Sequence, residues 1–262
     1  MSVLKSLEHF AVDSRWLRES NGLRLDASHY NPRVAHAVET LRKSGLRLST
    51  LGEVTERIYI PPRFKRIYVD EAHGIPFLQG SHVVQLQPAD IKYLSTAAHK
   101  DLSRWIIEAG WILVTCSGTV GRVAIAPAQW DGWAASQHIL RIIPRNDGPC
   151  PAGYLYSYLA SPLGQAQLTA QIYGAVVDEL TEAQARSVIV PVPETKEQHQ
   201  QVQAIHREAM ESVRQRSEAI ARAEQAFGGV RAFIPELARP EETESRPAAG
   251  PAARPAKRTK RA

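Results

Sequence analysis

Three short polar clusters could do chemistry in this chain, two of them beside a glycine and the third on a stretch that reads as a strand. Ser117, Thr119 and Arg122 lie on the run Ser117-Gly-Thr-Val-Gly121-Arg122. Gln79 and Ser81 lie in Gln79-Gly-Ser-His82, and Gln137 and His138 follow Ser136. Hydroxyl, amide and guanidinium groups on turns hydrogen-bond without a pocket. They suit reading a phosphate or a base edge better than making or breaking a bond. A fourth cluster is basic: Arg57, Arg63, Lys65 and Arg66, with Tyr59, Phe64 and Tyr68 interleaved and no acid before Asp70. Cations and aromatics on an exposed, mobile loop form a clamp for a DNA backbone. Tyr173, beside Gly174 at a helix end, could approach the sugar-phosphate chain. Each cluster also has an ordinary reading: tight turns need Gly and Ser, basic loops are commonly just solvated, and a tyrosine at a helix end is commonly half-buried.

Enzymatic alternatives are weaker. The Gly118-Thr-Val-Gly121-Arg122 loop lacks the Gly-x4-Gly-Lys-Ser/Thr spacing of a phosphate-binding loop. Cys116, Ser117, His138 and Asp131 can be combined into a hydrolase site on paper, but Ser117 is not in a Gly-x-Ser-x-Gly elbow. The nine histidines and two cysteines show no paired metal-ligand spacing, and no glycine-rich methyltransferase cofactor loop is present. The expectation is therefore no catalytic residue, no metal and no cofactor of its own.

The elements that must position these groups can be read from periodicity. β-Branched runs flank the Ser117–Gly121 turn as a hairpin, Trp111 to Cys116 and then Arg122 to Ile125, with a further strand carrying Ser136-Gln137-His138. A helix is expected from Pro32 to Ser44, capped by Asn31, with Val34, Val38 and Leu41 at helical spacing. Pro61-Pro62 make the basic stretch a loop between strands, and Gly74 to Val84 reads as a turn and strand. Cys150 to Ala160 reads as a helix, Ser161-Pro162 starts another running to Gly174, and Thr181-x-x-Gln184 caps a short one. Ser187 to Val192 is a last buried strand.

A second capping box, Thr195-x-x-Gln198, opens a helix continuing to Phe227, roughly 30 residues and so ~45 Å long. Two heptad columns run along it: Val202, Ala209, Arg216, Ala223 and His206, Val213, Ile220, Phe227. Six of these eight are apolar, which makes a coiled-coil seam broken at His206 and Arg216. A rod that projects from a domain needs a partner helix for that stripe. Val202, His206, Ala209, Val213, Ile220 and Phe227 are the expected pairing residues, the alternative being that the stripe packs back on its own domain.

Hydrophobic content of 44% and charged content of 23% suit a soluble chain with a real core, and no apolar run reaches the ~20 residues of a membrane span. Absence of an export signal and only two cysteines, expected to be reduced, indicate a cytoplasmic protein. The net charge is +5, but residues 230–262 hold eight Lys and Arg against four Asp and Glu, hence +4 of it. The folded part is nearly neutral, so DNA binding there needs a local patch. The tail, ending Pro-Ala-Lys-Arg-Thr-Lys-Arg, reads as disordered and basic. The expected organisation is a globular domain over 1–194, a long helix over 195–228 and the tail over 229–262. The fold class is α/β of the α+β type: a mostly antiparallel, twisted sheet with helices at its sides.

The runs "PFLQGSHV", "GWILVTCSGTVGRVAIAPAQWDGWAASQHILRIIP" and "SPLGQAQLTAQIYGAVVDELTEAQARSVIVPVP", followed by the long helix, resemble the target recognition domain of the specificity subunits of type I restriction-modification systems. The resemblance spans about Leu25 to Phe227, with the pieces in the family's order. It departs in number, because the usual subunit carries two recognition domains and two spacer helices. What it implies is a non-catalytic specificity component that reads one half of a bipartite double-stranded DNA site and docks a methyltransferase subunit. In a full system it also docks a restriction and translocase subunit, and S-adenosylmethionine and ATP belong to those partners. Single-domain length implies a half-size subunit pairing through the helix with a second copy, or with another specificity chain. A rival expectation from a different class is a protein-interaction scaffold of a phage-defence complex that does not read sequence.

Overall fold

A computed structural model describes residues 32–88, 90–99, 101–170 and 179–226, together with Ser14 and Arg18. Tyr173, Phe227, the Asn31 cap and the tail lie outside these. The chain divides into two units between Ala221 and Arg222, and the contacts below belong to the first.

The central layer is a four-stranded antiparallel sheet in the order β2 (Thr55–Tyr59), β9 (Ile139–Pro144), β6 (Ile112–Thr115), β7 (Val123–Ile125). β6 and β9 read as continuous apolar runs because both faces of this sheet are covered. Ile112, Val114, Leu140 and Ile142 point to one side. There they pack with helices α3 (Ala152–Ala160) and α4 (Pro162–Ala170) and with the two-stranded pair β1 (Leu48–Thr50) and β10 (Ile189–Pro191). Leu113 and Ile139 point to the other side, against Leu78, Val83, Ile107 and Trp130. Each of these side chains is fully buried, and burial of one such residue is worth about 1.5–3 kcal/mol.

Beyond that second core lies a sheet in the order β3 (Tyr68–Val69), β5 (Lys92–Ser95), β4 (Gly74–Leu78), β8 (Ala134–Ala135). It is antiparallel except for the β4–β8 pair, where Leu78 faces Ala135 in parallel. The mostly antiparallel α+β expectation holds.

Helix α1 (Pro32–Lys43) starts at the proline and stops before Gly45, which adopts φ 70°. The four-residue α2 (Leu51–Val54) bridges β1 and β2. At α5 (Glu182–Arg186) the capping box forms as read: the Thr181 amide donates to Gln184 Oε1 at 2.8 Å, and the Gln184 amide donates to Thr181 Oγ1 at 3.3 Å. The last helix, α6 (Lys196–Ala226), is opened by the reciprocal Thr195–Gln198 bonds at 3.2 Å.

Two local expectations are corrected. Ser136-Gln137-His138 is not in a strand; it forms the turn between β8 and β9, where Ile139 N donates to Ser136 O. Gln79 to Val84 does not continue strand β4; Gly80–Val84 is a 3-10 turn whose His82 is buried and accepts the Gln79 amide on Nδ1.

Candidate nucleic-acid interface

β2 and β6 both run antiparallel to β9, so the ends of β2 and β6 and the starts of β7 and β9 meet at one edge of the central sheet. That alone brings together the loop 60–67, the turn 116–122 and the turn 136–138. The Gln79 turn joins them: Ser136 N donates to Leu78 O at 2.9 Å, and a Cβ on Gly80 would lie 3.9 Å from Thr115 Cγ2.

The turn after β6 is held rigidly. Gly118 and Gly121 take positive φ values of 75° and 90°, which favour glycine. Thr115 closes the loop from inside, donating through Oγ1 to Thr119 O at 2.5 Å and accepting the Arg122 amide at 3.0 Å. Gln165 of α4 donates to Gly121 O at 2.9 Å. Ser117, Thr119 and Arg122 are thereby presented outward, with Thr119 and Arg122 exposed.

Four of the sequence-assigned residues form one hydrogen-bonded chain across three loops. Arg66 donates to Gln137 Oε1 at 2.6 Å; Gln137 Nε2 lies 3.1 Å from His138 Nε2; His138 Nδ1 lies 2.5 Å from Ser117 Oγ. Burial holds His138 below its ordinary pKa, and the neighbouring Arg66 and Arg63 push the same way against Glu179. The ring is therefore neutral at pH 7. Arg63 and Lys65 are exposed on the same loop as Arg66, and Ser81 is exposed on the Gln79 turn. Arg57 is not at this edge: it sits on strand β2 and stacks over Tyr59 at 4.3 Å.

The basic loop is anchored, contrary to the expectation of a mobile clamp with aromatics free to meet DNA. Phe64 is wedged between Trp105 (4.5 Å between ring centres), His99 (5.4 Å) and Phe77 (6.3 Å). Trp105 Nε1 donates to Pro62 O at 3.1 Å, and Ser95 N donates to Ile67 O at 2.9 Å. Tyr59 is buried against Trp111. At the start of the loop, Ile60 N donates to Glu182 and Arg186 donates to Ile58 O, both from α5.

Sequence reasoning missed the residue that fixes the reading turn. Arg141, on β9, is fully buried with no carboxylate among its hydrogen-bond partners. Its guanidinium donates to four main-chain carbonyls: Ser136 at 2.7 Å, Trp105 at 3.2 Å, and Ala135 and Ile139. Desolvation lowers its pKa to about 10, which still leaves it charged at neutral pH. The signal was an arginine inside the apolar run Ile139-Leu-Arg-Ile-Ile, at the alternation position that faces the second core.

Ser117 beside His138 is the geometry a hydrolase would need, but the rest of the chemistry points away from one. The second ring nitrogen of His138 meets an amide, not a carboxylate, and Asp131 instead accepts the Ala109 amide. Cys116 is buried, and desolvation pushes its thiol up to about 12. Among the described residues no cluster of metal-ligating side chains occurs, and no helix is long and apolar enough to cross a membrane.

Part of the stripe assigned to helix pairing faces the chain's own domain. Val202 is buried, and His206 accepts the Gly153 amide of α3 on Nδ1 at 3.0 Å. Ser217 accepts from Gln129 at 3.1 Å. A groove of about 880 Å³ lies between α6 and the Ala126–Gln129 segment, lined by Met210 and Val213 on the helix side. An amphipathic helix covers its stripe with the nearest apolar surface, and here the domain supplies it.

No curated protein matches the chain. Among solved structures it is similar to a chain from a type I R-M system described for its complex assembly and conformational transition (19% identity, TM-score 0.48, covering 86% of this chain and 54% of that one). It is also similar to the HsdS subunit from Thermoanaerobacter tengcongensis (20%, 0.47, 80% and 49%) and to the type I restriction-modification S subunit from M. genitalium (13%, 0.47, 80% and 50%). The chain thus spans about half the length of the structures it matches. The family model for the type I restriction modification DNA specificity domain matches residues 67–221, from the last residue of the basic loop through most of α6. That span takes in Ser117, Gln137, His138 and the buried Arg141, and the chain belongs to the family of type I restriction modification DNA specificity domains.

Proposed function

We propose that this chain reads one half of a bipartite DNA target and passes that choice to catalytic partners. The observation that carries the reading is the linked set Arg66, Gln137, His138 and Ser117, drawn from three loops to one sheet edge, with the exposed cations Arg63, Lys65 and Arg122 on two of the same loops. Fixed polar groups beside exposed cations suit base edges flanked by phosphates. Gln79, Ser81 and Thr119 extend the same edge as base or backbone contacts, and Arg57 serves the backbone from a more distant position.

Helix α6 would set the spacing to a second half-site. It would pair with the helix of a second recognition chain, in a homodimer or with a different specificity chain, through the part of its stripe from Ala209 to Ile220 that is only half-covered. Two identical chains would give a two-fold arrangement and a palindromic bipartite target. Methyl transfer, with its S-adenosylmethionine, would belong to a docked methyltransferase subunit, and ATP-driven restriction to a further subunit where one is present. Such a role would be carried out in the cytoplasm.

The test is duplex selection by the complex assembled with its methyltransferase. A recovered half-site, bound more tightly than random duplex with a steep salt dependence, is the expected result. Equal grip on selected and random duplexes would end the proposal.

A further inference from the structure

An acid reaches the reading edge that the polar turns of the sequence did not announce. Glu179 bridges Ser117 in antiparallel fashion, and Leu180 N donates to Cys116 O at 2.9 Å. Leu180 is fully buried in the core, and Thr181 caps α5 directly after it. The main chain at Glu179 is thereby anchored, while the residue itself is exposed. Residues directly opposite each other on an antiparallel pair project to the same face, with Cβ atoms about 4.5–5.5 Å apart. The carboxylate thus starts beside Ser117, whose hydroxyl meets His138, and its charge acts on the His138 ring.

Glu182, three residues on, spends its carboxylate on the fold by accepting the Ile60 amide at 2.7 Å. Among the described residues, no hydrogen bond or ion pair ties the carboxylate of Glu179. On a face that meets DNA, an untied negative charge repels every phosphate and so weakens binding to all duplexes. Such a charge serves selection instead, because it penalises any sequence that offers it no donor. In the major groove thymine shows O4, and guanine shows O6 and N7, all acceptors that a carboxylate repels. Adenine sets its N6 amino donor beside the N7 acceptor. Cytosine presents its N4 amino group with no acceptor beside it, which makes it the base that suits a carboxylate. We infer that Glu179 is a specificity-determining residue whose carboxylate accepts the N4 amino hydrogen of a cytosine in the half-site. The inference rests on the DNA-reading function proposed above and adds to it one residue and the base which that residue selects.

The test uses the full chain in complex with its methyltransferase, on the half-site recovered by selection. 2-Pyrimidinone, a cytosine without its amino group, is placed at each cytosine in turn and is expected to weaken binding about tenfold at one position. Glu179→Ala should abolish that sensitivity, and selection with this variant should leave the same position open to other bases. Glu179→Gln keeps an acceptor oxygen and should retain the cytosine. Both variants remove a negative charge and should bind random duplex more tightly than the parent, which a merely structural glutamate would not produce. Purine in place of each adenine probes the other amino group. A loss at an adenine that vanishes in Glu179→Ala overturns the cytosine assignment. A Glu179→Ala complex that still separates target from random duplex with every base preference intact defeats this inference alone. A parent complex that grips all duplexes alike defeats the function beneath it, and the inference with it.

Discussion

The amide of Gly153, in the first turn of α3, donates to Nδ1 of His206, eleven residues into α6, at 3.0 Å. One helix thus caps another: an amide that α3 leaves without a partner in its own turn finds one on the helix crossing it. The approach is close enough that a Cβ on Gly153 would lie 2.5 Å from His206 O and 2.9 Å from its Cα. Gly153→Ala should therefore destabilise the chain despite the ~1 kcal/mol that alanine gains over glycine within a helix, because overpacking against backbone costs about 1–3 kcal/mol. Chemical denaturation reads the sign, and a stabilised Gly153→Ala variant would show that the helices separate freely.

The same contact makes stability depend on pH. Burial, helped by Arg207, lowers the His206 pKa below its ordinary 6.5. The unfolded chain then binds the proton more readily than the folded one, so stability rises with pH across the window between the two values. The contribution is complete above about pH 6.5 and is lost as pH falls through the lower, folded value. His206→Gln keeps an acceptor without the titration, and should flatten the denaturation midpoint between pH 5 and 7 relative to the parent.

Arg141 is the most consequential single side chain for the reading edge. Arg141→Met would remove one donor from each of four carbonyls; Trp105 O and Ser136 O keep the amides of Ala135 and Ile139, while Ala135 O and Ile139 O lose the guanidinium that meets them. Each buried group left unmatched costs about 1–3 kcal/mol, so a loss of at least about 2 kcal/mol is expected. Arg141→Lys should recover only part of it, because one ammonium cannot span four carbonyls. A midpoint within experimental error of the parent for either variant would refute the clamp.

Backbone and base contacts should separate on substitution. Alanine at Arg63, Lys65 or Arg122 is expected to weaken all duplexes alike and to reduce the salt slope by about 1 for each phosphate that is no longer neutralised. Alanine at Gln137 should narrow the gap between target and random duplex by about 1–3 kcal/mol, with the salt slope unchanged. Titrations at several salt concentrations measure both. An equal effect of the two classes on specificity would overturn the division.

The two thiols should be silent. Desolvation raises Cys116 to about 12 and Cys150 to about 11, so neither is a thiolate at neutral pH. Native protein should release almost no Ellman chromophore until denatured. Because both pKa values are raised, their contribution to stability is complete below about pH 9 and fades as pH climbs through the folded values. Rapid modification of the native chain would place a cysteine at the surface.

Sequence by itself determined the elements, wherever a local rule decides them. Thr181-x-x-Gln184 and Thr195-x-x-Gln198 became capped helices, and Gly118 and Gly121 became a hairpin turn with positive φ, because a cap or a left-handed residue is satisfied within a few positions of itself. It also named Ser117, Arg66, Gln137 and His138 as polar tips. Only the tertiary structure decided that they touch. The antiparallel register of β2 and β6 on β9 gathers residues 71 positions apart at one edge, and periodicity along a chain carries no information about such pairings. The strand assigned to Ser136–His138 became a turn because Arg141 draws the carbonyls of Ala135, Ser136 and Ile139 inward, a long-range demand that overrides local preference. The stripe on α6 was legible as apolar, but what covers it was not. A hydrophobic face specifies burial without naming the surface, and here Gly153, by lacking a side chain, let the chain's own domain come closest.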